Sequence, residues 1–316
     1  MASEFLPRVD GTYYLTEGGI ETEIMYKYGF ELPHFAMFPL LDNPEALTAM
    51  KGIWQRSLRA AADNGFNAIM NGVDYRASPD WGALLGYTPD GLASMQMRAI
   101  DFLRDVARDF EQDIDTIIIS GTIGPRGDAY SRNETITADV AEEYHSVQLA
   151  TLKKAGVDMA WAMTFNNIPE AVGTIRAAEN TGIPIAMGLS LDSSSRLNSG
   201  PSMAEAVPEI DAQTNSAAAF FGLNCSHPLE FEPALDGGEW MKRLRSIRPN
   251  ASPMDKIALC KIGHLEDGDP DELAQQMLDV ARRMPHMDIF GGCCGTDERH
   301  LSKIAATVKS ELPARI

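Results

Sequence analysis

The chain has 316 residues, 44% of them hydrophobic, and carries a formal net charge of −18. This acidic balance argues against binding to nucleic acids or to anionic membrane surfaces, because both need clustered Lys and Arg, and we expect small-molecule partners instead. No stretch reaches the roughly 20 apolar residues of a membrane span, and residues 1–10 lack the apolar run of a signal peptide, so we expect a cytoplasmic protein.

Short apolar runs alternate with longer amphipathic stretches about eight times along the chain. The apolar runs are predicted strands at residues 13–16, 66–70, 116–120, 157–163, 183–189, 218–223, 257–260 and 287–290. Most of them end in glycines or other turn residues. Near-continuous apolar runs are typical of parallel strands that are buried on both faces.

Helical periodicity fills most of the connections between these runs. The predicted helices cover residues 44–63, 89–106, 137–156, 169–180, 270–283 and 296–308. The polar segment 191–208, rich in Ser and Gly, is predicted to be a long loop over the barrel mouth. The alternation of strand and helix predicts a single-domain (β/α)8 TIM barrel over residues 1–316.

The chain has only four cysteines, which is too few for a disulfide scaffold and indicates a reducing compartment. Cys225 ends the sixth apolar run, and Cys293 and Cys294 follow the eighth. Because the C-terminal strand ends of a barrel form one face, these three thiols are predicted to converge. Three thiolates favour zinc and leave one tetrahedral position open, for which a thiol substrate is the natural candidate. Cys260 lies inside the seventh run and is predicted to pack in the core.

Other interpretations of this region stay open. Free cysteines are often buried as small hydrophobic side chains. The pair Gly291-Gly292 is compatible with a phosphate loop, although such loops rarely need two cysteines. His227 is either a fourth metal ligand or the start of the next connection.

Further candidate residues lie at the predicted strand ends. Glu17 faces the mouth and holds an ammonium group or the thiol proton, or it belongs to a solvated helix start. The glycine-rich loop after the third strand lacks the spacing of a dinucleotide fingerprint and is predicted to shape the pocket. The predicted substrate-binding residues are Glu17, Gly18, Gly19, Asn71, Thr122, Met163 and Asn224, with Glu17 also the predicted catalytic residue.

Four motifs together resemble the homocysteine S-methyltransferase family over nearly the whole chain. They are Glu17-Gly18-Gly19 with Glu21-Thr22, Gly124-Pro125-x-Gly127-Asp128, Asn224-Cys225-x-His227-Pro228, and Gly291-Gly292-Cys293-Cys294-Gly295-Thr296. The resemblance implies a (β/α)8 barrel that binds zinc through Cys225, Cys293 and Cys294. It also implies that homocysteine enters as the fourth ligand and is methylated to methionine.

Two positions depart from the family pattern. Glu17 stands where the family usually has aspartate. Met163, before Thr164, stands where the family usually has the glutamate that holds the homocysteine amino group. Since methionine cannot pair with an ammonium, the acceptor is either held differently or is not homocysteine.

The methyl donor is predicted from the modules that the sequence lacks. Relatives that use cobalamin carry extra modules and relatives that use betaine carry a C-terminal extension, so we expect a free sulfonium, S-methylmethionine or S-adenosylmethionine. Tyr75, Trp161 and Phe165 either face this cation or pack the barrel.

Three alternative functions follow from the same residues. The first is methyl transfer to another thiol, or from another onium metabolite, on a zinc barrel. The second is a non-catalytic zinc-binding or thiol-binding barrel. The third is an enzyme with a cysteine nucleophile and no metal.

Overall fold

A computed structural model of the chain describes residues 5–131, 135–259 and 261–311. Within these residues, eight parallel strands close into a barrel in chain order, and the last strand pairs with the first. The strands are β1 (Tyr14–Leu15), β2 (Asn67–Asn71), β3 (Ile117–Ile123), β4 (Met159–Phe165), β5 (Ile185–Leu189), β6 (Phe220–Ser226), β7 (Leu244–Pro249) and β8 (Ile289–Phe290). The predicted TIM barrel is confirmed.

Helices occupy the connections between the strands. They are α1 (Ile20–Tyr26), α2 (Pro44–Asp63), α3 (Pro79–Leu84), α4 (Pro89–Ala107), α5 (Ala138–Ala155), α6 (Ile168–Thr181), α7 (Met203–Thr214), α8 (Pro228–Phe231), α9 (Lys256–Leu259), α10 (Pro270–Arg283) and α11 (Glu298–Glu311). Among the described residues, no helix is long and apolar enough to cross a membrane.

Local sequence signals set the ends of the well-predicted helices. The side chain of Asn43 accepts hydrogen bonds from two amides of the first turn of α2, where Pro44 has no amide hydrogen to satisfy. The hydroxyl of Thr137 caps α5 in the same way, and Gly156 ends that helix in the left-handed conformation at φ 74°. These signals are short-range, which is why the sequence predicts both helices within a residue or two.

The position of the seventh strand was predicted wrongly. The strand is Leu244–Pro249, whereas the apolar run 257–260 contributes the short helix α9, Lys256–Leu259. Cys260, predicted to pack in the core, lies outside the described residues.

The physical reason for this error is that β7 contains two arginines, of which Arg248 is buried and Arg245 is half-buried. Arg245 pairs with Asp288 at 2.6 Å, and Arg248 pairs with Glu17 at 2.6 Å. Both partners are remote in sequence, so a search for apolar runs does not recognise the strand.

The predicted loop 191–208 is also too long. Helix α7 begins at Met203, after a capping box between Ser202 and Glu205, and Pro208 lies inside the helix. The capping box and the buried apolar face of α7 outweigh the single proline, although Pro208 removes one backbone hydrogen bond.

A layer of side chains fills the inside of the barrel. It forms a hydrophobic cluster separate from the larger core between helices and sheet, and it includes Ile69, Ile118, Trp161, Phe220 and Ile289. Because this layer closes the centre of the barrel, the cavity described next opens only toward the C-terminal strand ends.

Candidate active site

A cavity of about 330 Å³ lies at the C-terminal ends of the strands. It is lined by all ten residues that the sequence predicts for the site: Glu17, Gly18, Gly19, Asn71, Thr122, Met163, Asn224, Cys225, Cys293 and Cys294. The structure thus brings the predicted residues together in one place, while their individual roles stay predictions.

The three cysteines meet at this cavity although 68 residues separate Cys225 from Cys293. Their sulfur atoms all lie within 4.8 Å of one another. Cys225 and Cys293 are joined as a disulfide here, and Cys294 keeps its thiol. Once the pair is reduced, three thiolates of one cluster fit the donor set of a zinc ion with one open position.

The backbone fixes the cysteine loop against its neighbours. The amide of Cys293 donates to Pro249 O at 2.8 Å, and the carbonyl of Cys294 accepts from the amide of Ala251 at 3.0 Å. A Cβ on Gly19, the residue that precedes α1, would collide with the carbonyl of Cys293, so only glycine allows the start of α1 and the loop to approach this closely.

The phosphate-loop interpretation of the glycine pair does not fit this geometry. The amide of Gly292 donates to Glu17 O at 3.2 Å, and the amide of Cys293 is bonded to Pro249 O. These amides are used within the fold and cannot cradle an anion.

Glu17 is held in a closed network on the wall of the cavity. Its carboxylate accepts from the guanidinium of Arg248 at 2.6 Å, from the Asn71 side chain at 2.9 Å and from the Asn71 amide at 3.1 Å. Glu17 is only 4% exposed, so it does not belong to a solvated helix start. Its charge is already neutralised by the protein itself.

Arg248 is a site residue that sequence analysis missed. Besides Glu17, its guanidinium donates to Gly292 O at 3.0 Å, and it contacts the Met163 sulfur at 3.4 Å. The available signal was a pair of arginines, Arg245 and Arg248, in a segment that was not predicted to be a strand.

The end of β4 presents a thioether to the cavity instead of a charge. Met163 lies beside Arg248, and the amide of the next residue, Thr164, donates to the side chain of Asn224 at 3.1 Å. The hydroxyl of Thr164 also bonds to the phenol of Tyr75. No carboxylate occupies this position, as the sequence indicates.

Glu21 and Arg76 are also among the charged residues that line the cavity. Glu21, in the first turn of α1, is half-buried, and burial raises the pKa of its carboxyl, an effect that Arg248 and Arg76 only partly oppose. The guanidinium of Arg76 stacks on the rings of Tyr75 and Trp81, 4.9 and 4.4 Å from their centroids. Sequence analysis named Glu21 only within a motif and did not name Arg76.

Of the remaining residues named from the sequence, some line the cavity and others do not. Tyr75 lines the cavity, whereas Trp161 and Phe165 are buried in the barrel and do not. His227 is not part of the sulfur cluster. Its Nδ1 accepts from the amide of Leu229 at 3.2 Å and begins α8, and burial lowers the pKa of His227 to about 4.

Known proteins resemble this chain in sequence and in fold. The chain matches the homocysteine S-methyltransferase family over residues 14–308. The homocysteine S-methyltransferase YbgG of Bacillus subtilis (strain 168) is 24% identical over 209 residues, which span 61% of this chain and 62% of that protein. That is less than two thirds of the length of this relative.

Solved structures share the barrel. The oxidized and metallated forms of the homocysteine methyltransferase MmuM from Escherichia coli superpose with TM-scores of 0.76 and 0.74. Each is 18% identical and covers 96% of this chain and 98% of its own. At this identity the structural likeness establishes the fold, and the family match spans all eight strands.

Proposed function

This chain belongs to the homocysteine S-methyltransferase family, and we propose that it transfers a methyl group to the sulfur of homocysteine, giving methionine. The observation that carries the proposal is the convergence of the three cysteine sulfurs, within 4.8 Å of one another, beside a cavity of about 330 Å³. Such a volume is typical of sites for small metabolites.

We propose zinc as the cofactor, held by reduced Cys225, Cys293 and Cys294. Support comes from the soft, threefold sulfur donor set and from the metallated form in which MmuM was solved. Bound zinc keeps an acceptor thiol deprotonated at neutral pH, where an ordinary thiol with a pKa of about 8.5 is mostly protonated. Three thiols persist in a reducing compartment, so we propose that the protein acts in the cytoplasm.

In the proposed reaction the acceptor thiolate attacks the methyl carbon of a sulfonium donor. A carbon–sulfur bond forms at the acceptor while the donor's carbon–sulfur bond breaks, and its electron pair stays on the leaving thioether. The leaving group is neutral, so no general acid is required. The Glu17 carboxylate, paired with Arg248, fixes the cavity wall rather than moving a proton.

The proposed donor is a free sulfonium, S-methylmethionine or S-adenosylmethionine. A formal net charge of −18 attracts cations over short distances in physiological salt. Tyr75 lines the cavity, where its aromatic ring can contact a bound sulfonium.

The test is methyl transfer by purified, reduced protein. We expect stoichiometric zinc by elemental analysis and conversion of homocysteine to methionine with S-methylmethionine or S-adenosylmethionine, lost on chelation and restored by zinc. Absence of turnover of homocysteine with either donor contradicts the proposal. Turnover of another thiol would support the first alternative, and zinc binding without any turnover would support the non-catalytic one.

A further inference from the structure

Four acidic side chains line the cavity, and they differ in how their charge is compensated. Glu17 is paired with Arg248 at 2.6 Å, Glu266 is paired with His264 at 2.8 Å, and Asp128 accepts the amide of Tyr130 at 2.6 Å. Glu21 differs from all three. Within the described part of the chain, its carboxylate forms neither an ion pair nor a hydrogen bond with another residue, although Glu21 is half-buried.

The position of Glu21 is fixed relative to the sulfur cluster. Gly19 packs directly on the carbonyl of Cys293, and Thr22 accepts the amide of Gly295 at 3.1 Å while donating to Gly19 O at 2.8 Å. These contacts join the first turn of α1 to the cysteine loop on both sides of Glu21. These contacts fix the backbone that carries Glu21 relative to the cysteine loop, and Glu21 lines the same cavity as the three cysteines.

The guanidinium of Arg76, which lines the same cavity, has hydrogen-bond donors without a partner. Arg76 is 7% exposed, and its Nη1 donates to Gly127 O at 2.9 Å. Its Nε is buried without a partner, and no hydrogen bond among the described residues uses its Nη2. Arg76 and Glu21 both line the cavity and interact electrostatically, and no ion pair joins them among the described residues.

Unsatisfied acceptors in the cavity indicate a ligand that donates hydrogen bonds. The side-chain oxygens of Asn71 and Thr122 are buried and have no partner, and both residues line the cavity. Buried polar atoms are rarely left without a partner in the functional state of a protein. An ammonium group, with three donors, would satisfy such atoms together with a carboxylate.

We propose that Glu21 binds the ammonium group, and Arg76 the carboxylate group, of a zwitterionic amino-acid thiol whose sulfur occupies the cysteine cluster. This inference rests on the proposed function and specifies how that site recognises its acceptor. Met163 cannot bind an ammonium, and Glu17 and Arg248 already form an ion pair with each other. We therefore assign recognition of the two charged groups to Glu21 and Arg76, which have no ion-pair partner among the described residues.

The experiment compares three thiols that differ only in their charged groups. Homocysteine carries both groups, homocysteamine lacks the carboxylate, and γ-mercaptobutyrate lacks the ammonium. Dissociation constants are measured by titration calorimetry on the zinc-loaded protein without any methyl donor, so the result does not depend on turnover.

For Glu21→Gln we expect homocysteine and homocysteamine to bind roughly 10- to 100-fold more weakly, while γ-mercaptobutyrate binds as before. For Arg76→Gln we expect the opposite selectivity, with homocysteine and γ-mercaptobutyrate weakened and homocysteamine unchanged. Arg76→Lys keeps the charge and should restore part of the loss.

Asp128→Asn is the matched control, because it removes a negative charge from the same cavity without touching the proposed pair. This substitution should not weaken the binding of any one thiol more than that of the others. If Glu21→Gln weakens all three thiols alike, or none, the assignment of Glu21 is overturned. If the selectivity holds but no thiol is methylated, the proposed reaction fails and the recognition site stands.

Discussion

The cavity has two sides whose construction differs. The sulfur side, formed by Cys225, Cys293 and Cys294, is fixed by backbone hydrogen bonds to the end of β7 and the residues after it, and by the close approach of Gly19 at the start of α1. The head-group side, formed by Glu21, Arg76 and Met163, consists of single side chains on three different elements. The backbone thus holds the sulfur cluster in place, whereas exchangeable side chains form the proposed binding site for the charged groups of the acceptor.

This difference predicts the largest effect on the sulfur side. Cys294→Ser replaces one of three soft ligands with a poorer donor. We expect metal affinity and methyl transfer to fall by more than the roughly 10- to 100-fold that loss of an outer-shell partner costs at metal sites. Zinc content by elemental analysis and the methyl-transfer rate measure it, with the melting temperature as the check on folding. Retention of stoichiometric zinc would show that Cys294 is not a ligand.

Between the two sides stands the buried ion pair of Glu17 and Arg248. Arg248→Met leaves the Glu17 carboxylate buried without its cation, and we expect the free energy of unfolding to fall by about 3–5 kcal/mol, measured by urea denaturation. The double variant Glu17→Gln, Arg248→Met should regain much of that loss, because no buried charge is left. Equal stability of the single variant and the parent would mean that Asn71 alone compensates Glu17.

An effect that develops only as the pH rises is expected at Asp74, next to the head-group side. Its carboxylate is fully buried and accepts the amide of Thr122 at 3.1 Å, and burial raises the pKa of Asp74 to about 7. When the pKa of a carboxyl is higher in the folded than in the unfolded state, protonation of that carboxyl stabilises the folded state. The stabilisation is complete at pH values below the pKa of the unfolded state. That stabilisation is lost as the pH rises through about 7.

Asp74→Asn removes this dependence. Relative to the parent, the variant should gain up to roughly 1.4 kcal/mol in the free energy of unfolding for each pH unit between about pH 4 and 7, and no more above that range. Urea denaturation at several pH values measures the slope. A parent and a variant with parallel pH profiles would contradict the raised pKa.

The sequence allowed much of the fold to be predicted and part of the site. Helices α2 and α10 were predicted with their observed ends because caps and helical periodicity are short-range signals. Strand β7 was misplaced because its arginines pair with Asp288 and Glu17, which lie far away in the sequence. For the same reason, sequence analysis did not identify Arg248 as a site residue.

By itself, the sequence determined the barrel, its C-terminal active face and the three sulfurs that meet there, since strand periodicity and the position of a residue at a strand end are local properties. Only the tertiary structure decided which charges in the cavity are compensated. Glu17 and Glu21 are two acids of one short motif, yet one is neutralised by an arginine 231 positions away and the other is left for a ligand. A side chain's charge partner depends on contacts across the barrel, and no pattern of neighbouring residues encodes them.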